Sequence, residues 1–199
     1  LTSLHSLEPQ QLESAMRVSK CVLALSAAAP LAIPVTAAIK AMTLRELMEV
    51  TQDAVHGKIV ARDSIRLDHP WEGALYTQLT VEGESIRTGE KGTFKVIFHG
   101  SHDKDDWYGI SSMPTLQDSR TGGEGVLFFG EHPLLPGHNL VYNFAGLYRV
   151  EMGFGEPVVV GKGEGMAFPE NTKLTDVVTD IRATHAELSA LPKTPGLSK

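Results

Sequence analysis

Cysteine is nearly absent from this chain, because Cys21 is the one cysteine among its 199 residues. A single thiol cannot close an intramolecular disulfide, so a small fold stapled by disulfides is excluded. Cys21 also lies in a segment that we expect to be cleaved, as its surroundings indicate below. The mature chain is therefore expected to have no thiol nucleophile.

Clusters of basic residues are lacking as well. The chain has 18 Lys and Arg residues against 24 Asp and Glu residues, which gives a formal net charge of −6 at pH 7. Proteins that follow a phosphate backbone do so with grouped Lys and Arg side chains. We therefore expect no nucleic-acid partner.

Long apolar runs occur at one place, residues 21–35, and two prolines interrupt that run. A membrane-spanning helix needs ~20 apolar residues, so we expect no membrane span in the mature chain. Arg17 and Lys20 precede the run and small residues follow it, which is the pattern of a secretory signal peptide. We predict a signal peptide over residues 16–38 and a protein exported to the periplasm or beyond the cell. The alternative is a buried apolar helix.

The signal peptide sets the expected domain organisation. Residues 1–15 precede Met16 and are interpreted as an upstream leader that is not native or is disordered. Residues 42–190 are expected to form a single β-rich domain, and residues 191–199 a disordered tail.

Helices are predicted near both ends of this domain. Thr43 and Glu46 have the spacing of a capping box, which predicts a short amphipathic helix that ends near Ala54. Apolar residues recur at helical spacing from Leu174 to Leu188, which predicts a closing helix.

Between these helices the pattern is that of β-strands, with alternating side chains and Gly-rich or Pro-rich links. Gly57, in the first strand, predicts a close approach of a neighbouring backbone. The candidate strands are residues 56–66, 75–82, 93–99, 125–129, 140–144, 147–152 and 157–160. The first three are expected to form an antiparallel meander, and the lack of helices between strands argues against parallel pairs. We therefore predict a mainly β fold: a small antiparallel, OB-like barrel, or else a sandwich, of about seven strands.

Four short segments carry a resemblance. Val55–Val60, Tyr76–Glu82, Val126–Phe129 and Gly146–Tyr148, in this order, make the chain similar to a group of uncharacterised exported bacterial proteins with an OB-like β-barrel domain. The resemblance implies a barrel and export. The polar segment 100–123 departs from that pattern, and no functional residue is transferred.

The start of segment 100–123 is rich in groups that can bind metal. The candidate ligands are His99, His102 and Asp105, with Asp103 and Asp106 beside them. Imidazole nitrogens and carboxylate oxygens suit a divalent cation, although neither an HExxH helix nor a calcium-binding loop is present. The alternative is a hydrated polar loop, and no cofactor is otherwise expected.

Large aromatic side chains stand beside turns at Trp71, Trp107 and Tyr108. Such rings either contact sugars, peptides or proteins, or they fold back and cover the end of a barrel. The glycine-flanked Lys162 lacks the spacing of a phosphate-binding loop, so residues 161–165 are predicted to form a turn.

The absence of a recognisable catalytic set, including any G-x-S-x-G elbow, guides the functional hypotheses. The leading hypothesis is an exported, non-catalytic binding module for an unknown protein or small ligand, with aromatic loops as its contact surface. The alternative is a metal-dependent hydrolase that uses the segment from His99 to Asp106. A third is a structural component of the cell envelope.

Overall fold

The computed structural model describes residues 41–103 and 105–191. The expected leader, signal peptide and residues 192–199 of the tail lie outside this range, so the statements about them stay predictions. Within the described range, neither helix has the length and apolar character that crossing a membrane requires.

The two predicted helices are present: α1 (Leu44–Val50) and α2 (Leu174–Ala190). The capping box is confirmed, since the Glu46 amide donates to Thr43 Oγ1 at 3.3 Å and the Thr43 amide donates to Glu46 Oε2 at 2.8 Å. α1 ends earlier than the predicted end near Ala54, because the first strand already begins at Asp53.

All the predicted strands are confirmed, and three two-residue strands add to them. In chain order the strands are β1 (Asp53–Leu67), β2 (Ala74–Ser85), β3 (Lys91–His99), β4 (Ser101–His102), β5 (Trp107–Tyr108), β6 (Glu124–Glu131), β7 (Asn139–Val141), β8 (Leu147–Gly153), β9 (Glu156–Val159) and β10 (Thr172–Lys173). A short 3-10 helix, Asn143–Gly146, follows β7 where the sequence predicted a longer strand.

Five of the strands form a closed ring in the order β1-β2-β3-β7-β6, because β6 pairs with β1. The fold is thus mainly β, with a small OB-like barrel, and the barrel is confirmed over the sandwich. β8, β9 and β10 extend the sheet outward from β6. β4 and β5 form a separate hairpin within the connection from β3 to β6.

One pair in the barrel is parallel, which corrects the expectation of antiparallel pairs alone. β3 and β7 run in the same direction, with Val96 opposite Asn139 and Ile97 opposite Leu140. The expectation was wrong because it considered helical crossovers only. Here the chain returns to β3 through the long segment 100–123 and β6.

β6 is buried on both faces, which explains its unbroken apolar run. Leu127 and Phe129 point into the barrel core, whereas Val126 and Phe128 belong to a second core shared with α1 and α2. The barrel therefore has its own interior, and the helices cover the outside of β6.

Two glycines allow β1 and β2 to approach closely, as Gly57 predicted. Gly57 lies opposite Gly83, and a Cβ on Gly57 would lie 2.5 Å from the Glu82 carbonyl oxygen and 2.7 Å from Gly83 Cα. A side chain at either position would force the two backbones apart.

Candidate functional site

The predicted aromatic residues come together around one open cavity of about 350 Å³. Trp71 belongs to the β1–β2 loop, residues 68–73, whereas Trp107 and Tyr108 form β5. We call this space the aromatic cavity. Arg66, Asp105 and Asp106 also line it.

Local hydrogen bonds shape the loop that carries Trp71. The Gly73 amide donates to Asp68 Oδ1 at 3.0 Å, and the Ala74 amide donates to the Trp71 carbonyl at 3.2 Å. These bonds close the loop directly before β2 begins. The indole of Trp71 is thereby held beside the start of β2.

The two aspartates beside the proposed metal ligands, Asp103 and Asp106, anchor the β4–β5 hairpin to β1. Arg62 Nη1 donates to Asp103 Oδ1 at 3.1 Å, and the Ser64 hydroxyl donates to the other oxygen of the same carboxylate. Arg66 donates to Asp106 and forms an ion pair with it. The anchors position Trp107 and Tyr108 opposite Trp71.

His99 lies at the centre of a group of rings. Its ring centroid is 4.9 Å from Tyr76, 5.3 Å from Trp71 and 5.5 Å from Tyr108. Its buried Nε2 has no hydrogen-bond partner among the described residues. His99 therefore acts as a packing ring behind the aromatic cavity.

The sequence did not reveal that Tyr76 and His132 extend this group of rings. Tyr76, in β2, is buried and donates to the His69 carbonyl at 2.9 Å. His132, from the β6–β7 loop, lies 5.3 Å from the His69 ring. No spacing in the sequence links these loops; only the closed barrel brings them together.

Burial shifts His99 and His132 toward the neutral form. It lowers the pKa of His99, and the nearby His69 lowers that pKa further. The pKa of His132 is lowered by burial first, and then by His69 and His138. A neutral imidazole suits an apolar ring contact.

Both indoles expose much of their surface to solvent. Trp107 is 69 % exposed and Trp71 is 50 % exposed, whereas Tyr108 is partly buried between Trp71 and His99. A Cβ on Gly109 would lie 2.8 Å from Cζ2 of Trp107, so the glycine leaves room for the indole against the backbone.

The structure does not bring the proposed metal ligands together. His99 lies among rings, and His102 Nε2 lies 3.2 Å from the Pro114 carbonyl oxygen. Asp105 is exposed, and Asp103 is engaged by Arg62. In residues 41–103 and 105–191, no three His, Cys, Asp or Glu side chains are grouped as a metal site would need.

The arrangement offers flat apolar faces beside carboxylates and a guanidinium. Ring faces stack on apolar surfaces of a ligand, while the charged groups accept or donate hydrogen bonds at its edges. The carboxyl oxygens of Asp105 and Asp106 and the guanidinium of Arg66 supply the polar component here. Such a cavity is suited to binding a ligand and fixing its orientation.

A second feature that the sequence missed is the burial of Lys162. The predicted turn at residues 161–165 is tied down, since the Lys162 amide donates to the Phe168 carbonyl and the Gly163 amide donates to the Pro169 carbonyl, each at 3.0 Å. The Lys162 side chain is 6 % exposed. The glycines that flank Lys162 predict a turn, but they do not predict that other residues bury its side chain.

Comparison with known family models, curated proteins and solved structures gave no match, so the resemblance to exported OB-like proteins stays a prediction.

Proposed function

We propose that the protein is a non-catalytic binding module and that its ligand occupies the aromatic cavity. One observation carries the proposal: two exposed indoles from separate segments, Trp71 and Trp107, line one open cavity with Tyr108. Large exposed rings held by local anchors form efficient contact surfaces.

The chemistry of the cavity favours an oligosaccharide as the ligand. The C–H faces of sugar rings stack on aromatic side chains, and sugar hydroxyls pair with carboxylates and guanidinium groups such as Asp105, Asp106 and Arg66. OB barrels bind oligosaccharides and oligonucleotides with the loops after their first and fourth strands, which is an analogy of fold alone. Here those loops contain Trp71 and His132.

A nucleic acid is the less suitable ligand. The cavity has two carboxylates, and its guanidinium, on Arg66, is already paired with Asp106. Phosphates require unpaired basic groups, and the net charge of −6 opposes their approach.

Export is part of the proposal because residues 16–38 have the pattern of a signal peptide. A binding module outside the cytoplasm would meet saccharides of the envelope or of the surroundings. The mass of the protein recovered from periplasmic and culture fractions tests this: cleavage near Ala38 is expected, whereas an intact chain in the cytoplasm would contradict export.

Intrinsic fluorescence tests ligand binding directly, because both tryptophans of the chain line the aromatic cavity. We expect neutral gluco-, xylo- or chito-oligosaccharides to change the emission in a saturable manner and to raise the melting temperature. Oligo-dT and an uncharged peptide serve as comparison ligands.

The outcomes separate the ligand classes. If only the peptide gives a saturable response, the ligand is a peptide and not a saccharide. If oligo-dT gives one, the conclusion that charge disfavours a nucleic-acid ligand is wrong. No response to any of the three would leave the aromatic cavity without a ligand of these classes and would count against the binding module. No observation in the described range favours the metal-dependent hydrolase.

A further inference from the structure

A second cavity, of about 480 Å³, shares no lining residue with the aromatic cavity and is lined in part by Lys162. Phe144, Leu116 and Val160 provide apolar walls, while Asp118 and Arg149 provide charged groups. The binding function proposed above uses none of these residues.

Several contacts fix the amine of Lys162 in place. Nζ donates to the Phe144 carbonyl, lies 3.8 Å above the centroid of the Phe144 ring, and lies 3.8 Å from Asp118 Oδ2. Asp118 is itself held by the Thr115 hydroxyl at 2.8 Å and by Arg149 Nη1 at 3.2 Å. The amine thus stands at a defined point on the wall of the cavity.

The surroundings of Lys162 favour the neutral amine more than water does. The pKa of Lys162 is lowered from 10.5 to about 8, mainly by burial and to a smaller extent by Arg149, while Asp118 acts in the opposite direction. At pH 8 about half of these amines carry a free electron pair. A buried lysine beside another cation is a common setting for a nucleophilic amine.

We propose that Lys162 captures a small aldehyde or ketone that enters this cavity, and that the product is an imine. The nitrogen electron pair attacks the carbonyl carbon, and one of the two amine protons is transferred to the carbonyl oxygen, which gives a carbinolamine. This intermediate then loses its hydroxyl group as water while nitrogen loses its remaining proton, so one amine and one carbonyl compound yield one imine and one water. Asp118 is a positioning residue, because it lies beside the amine and holds it at the cavity.

Reductive trapping in the full chain tests the proposal. The protein is treated with butanal and cyanoborohydride between pH 6 and pH 10; cyanoborohydride donates hydride to the imine carbon and leaves a stable secondary amine. Peptide mass spectrometry then compares Lys162 with Lys91, whose side chain is 82 % exposed. We expect Lys162 to react several-fold faster than Lys91 at pH 8, with a half-maximal rate near pH 8.

Two controls define the result. In urea the advantage of Lys162 over Lys91 should disappear, because it depends on the folded cavity. Lys162→Arg keeps the positive charge beside Asp118 and should retain the melting temperature without labelling at this position. If Lys162 in the native protein reacts no faster than Lys91 at pH 8, or reacts only in urea, the proposal is wrong, whether or not the variant folds.

Discussion

At the residue scale, Trp107 combines high exposure with a fixed position. Its indole is 69 % exposed, and Trp107 pairs with His102 across the β4–β5 hairpin that Asp103 and Asp106 tie to β1. Such a ring contributes little to the folded core but offers a preorganised surface to a ligand.

Trp107→Ala should therefore weaken oligosaccharide binding by at least ~10-fold while leaving the melting temperature nearly unchanged. Calorimetric titration and thermal unfolding measure the two effects. Phe154→Ala is the matched control, because Phe154 is a fully exposed ring in the β8–β9 turn, outside the aromatic cavity. Unfolding of the Trp107 variant would show that the ring is a cap and not a contact surface.

At the element scale, the pairing of β1 with β2 depends on the Gly57–Gly83 approach. Gly57→Ala places a methyl group 2.5 Å from the Glu82 carbonyl oxygen, so we expect the free energy of unfolding to fall by about 1–3 kcal/mol. Urea denaturation measures this. Gly92, on the neighbouring β3, is the control, because a methyl group there would have no atom within 4 Å. The Gly92→Ala variant should lose less than ~1 kcal/mol of its free energy of unfolding. If both variants lose the same free energy of unfolding, the close approach of β1 and β2 is not the cause of the destabilisation.

The attachment of the β4–β5 hairpin depends on Asp103. Arg62 is 12 % exposed, and its Nε and Nη2 have no partners among the described residues, so Asp103→Ala would leave a nearly buried guanidinium without its anion. We expect the free energy of unfolding of this variant to fall by about 1–3 kcal/mol, and amide hydrogen exchange over residues 101–108 to become faster.

Asp105→Ala is the control for this hairpin. Asp105 is exposed and makes no hydrogen bond or ion pair with the part of the chain that the structure describes. Its replacement should leave both stability and exchange unchanged. Fast exchange in both variants would indicate that the hairpin is mobile without regard to Asp103.

The elements themselves were largely readable from the sequence because their signals are local. The capping box at Thr43 and the alternation in β2 depend on neighbours within a few residues. The parallel pairing of β3 with β7 was not readable, since it follows from closure of the barrel across a long connection. The burial of Tyr76 was missed for the same reason, because the ring of His132 that covers it comes from a distant loop.

The candidate site was predictable to a similar extent. Trp71, Trp107 and Tyr108 stood out as large rings beside turns, and they do line one cavity. The histidines and aspartates of segment 99–106 suggested a metal site through composition, but Arg62 and Arg66, which engage Asp103 and Asp106, are remote in sequence. Composition indicates which groups are available, whereas their partners decide what they do.

At the scale of the whole molecule, the buried histidines link stability to pH. The folded-state pKa values of His99 and His132 lie below the usual value of 6.5, so the unfolded chain takes up protons first as the pH falls. Stability contributed by the neutral rings is therefore full above pH ~6.5 and is lost below it. We expect the melting temperature to fall between pH 7.5 and pH 5, and to fall less in His99→Phe. An equally steep decrease in that variant would assign the acid response to other groups.

The closed barrel also affects how copies of the chain meet at high concentration. A strand with unpaired backbone groups invites other chains to add to it, which is a frequent start of aggregation. The outward extension of the sheet ends in β10, which is two residues long and leads directly into α2. The stretch of β3 before its pairing with β7 carries Lys91 and Lys95, whose charges oppose stacking of like strands. Ring closure, the short last strand and the charged positions of β3 each oppose strand addition at the sheet edge where they lie.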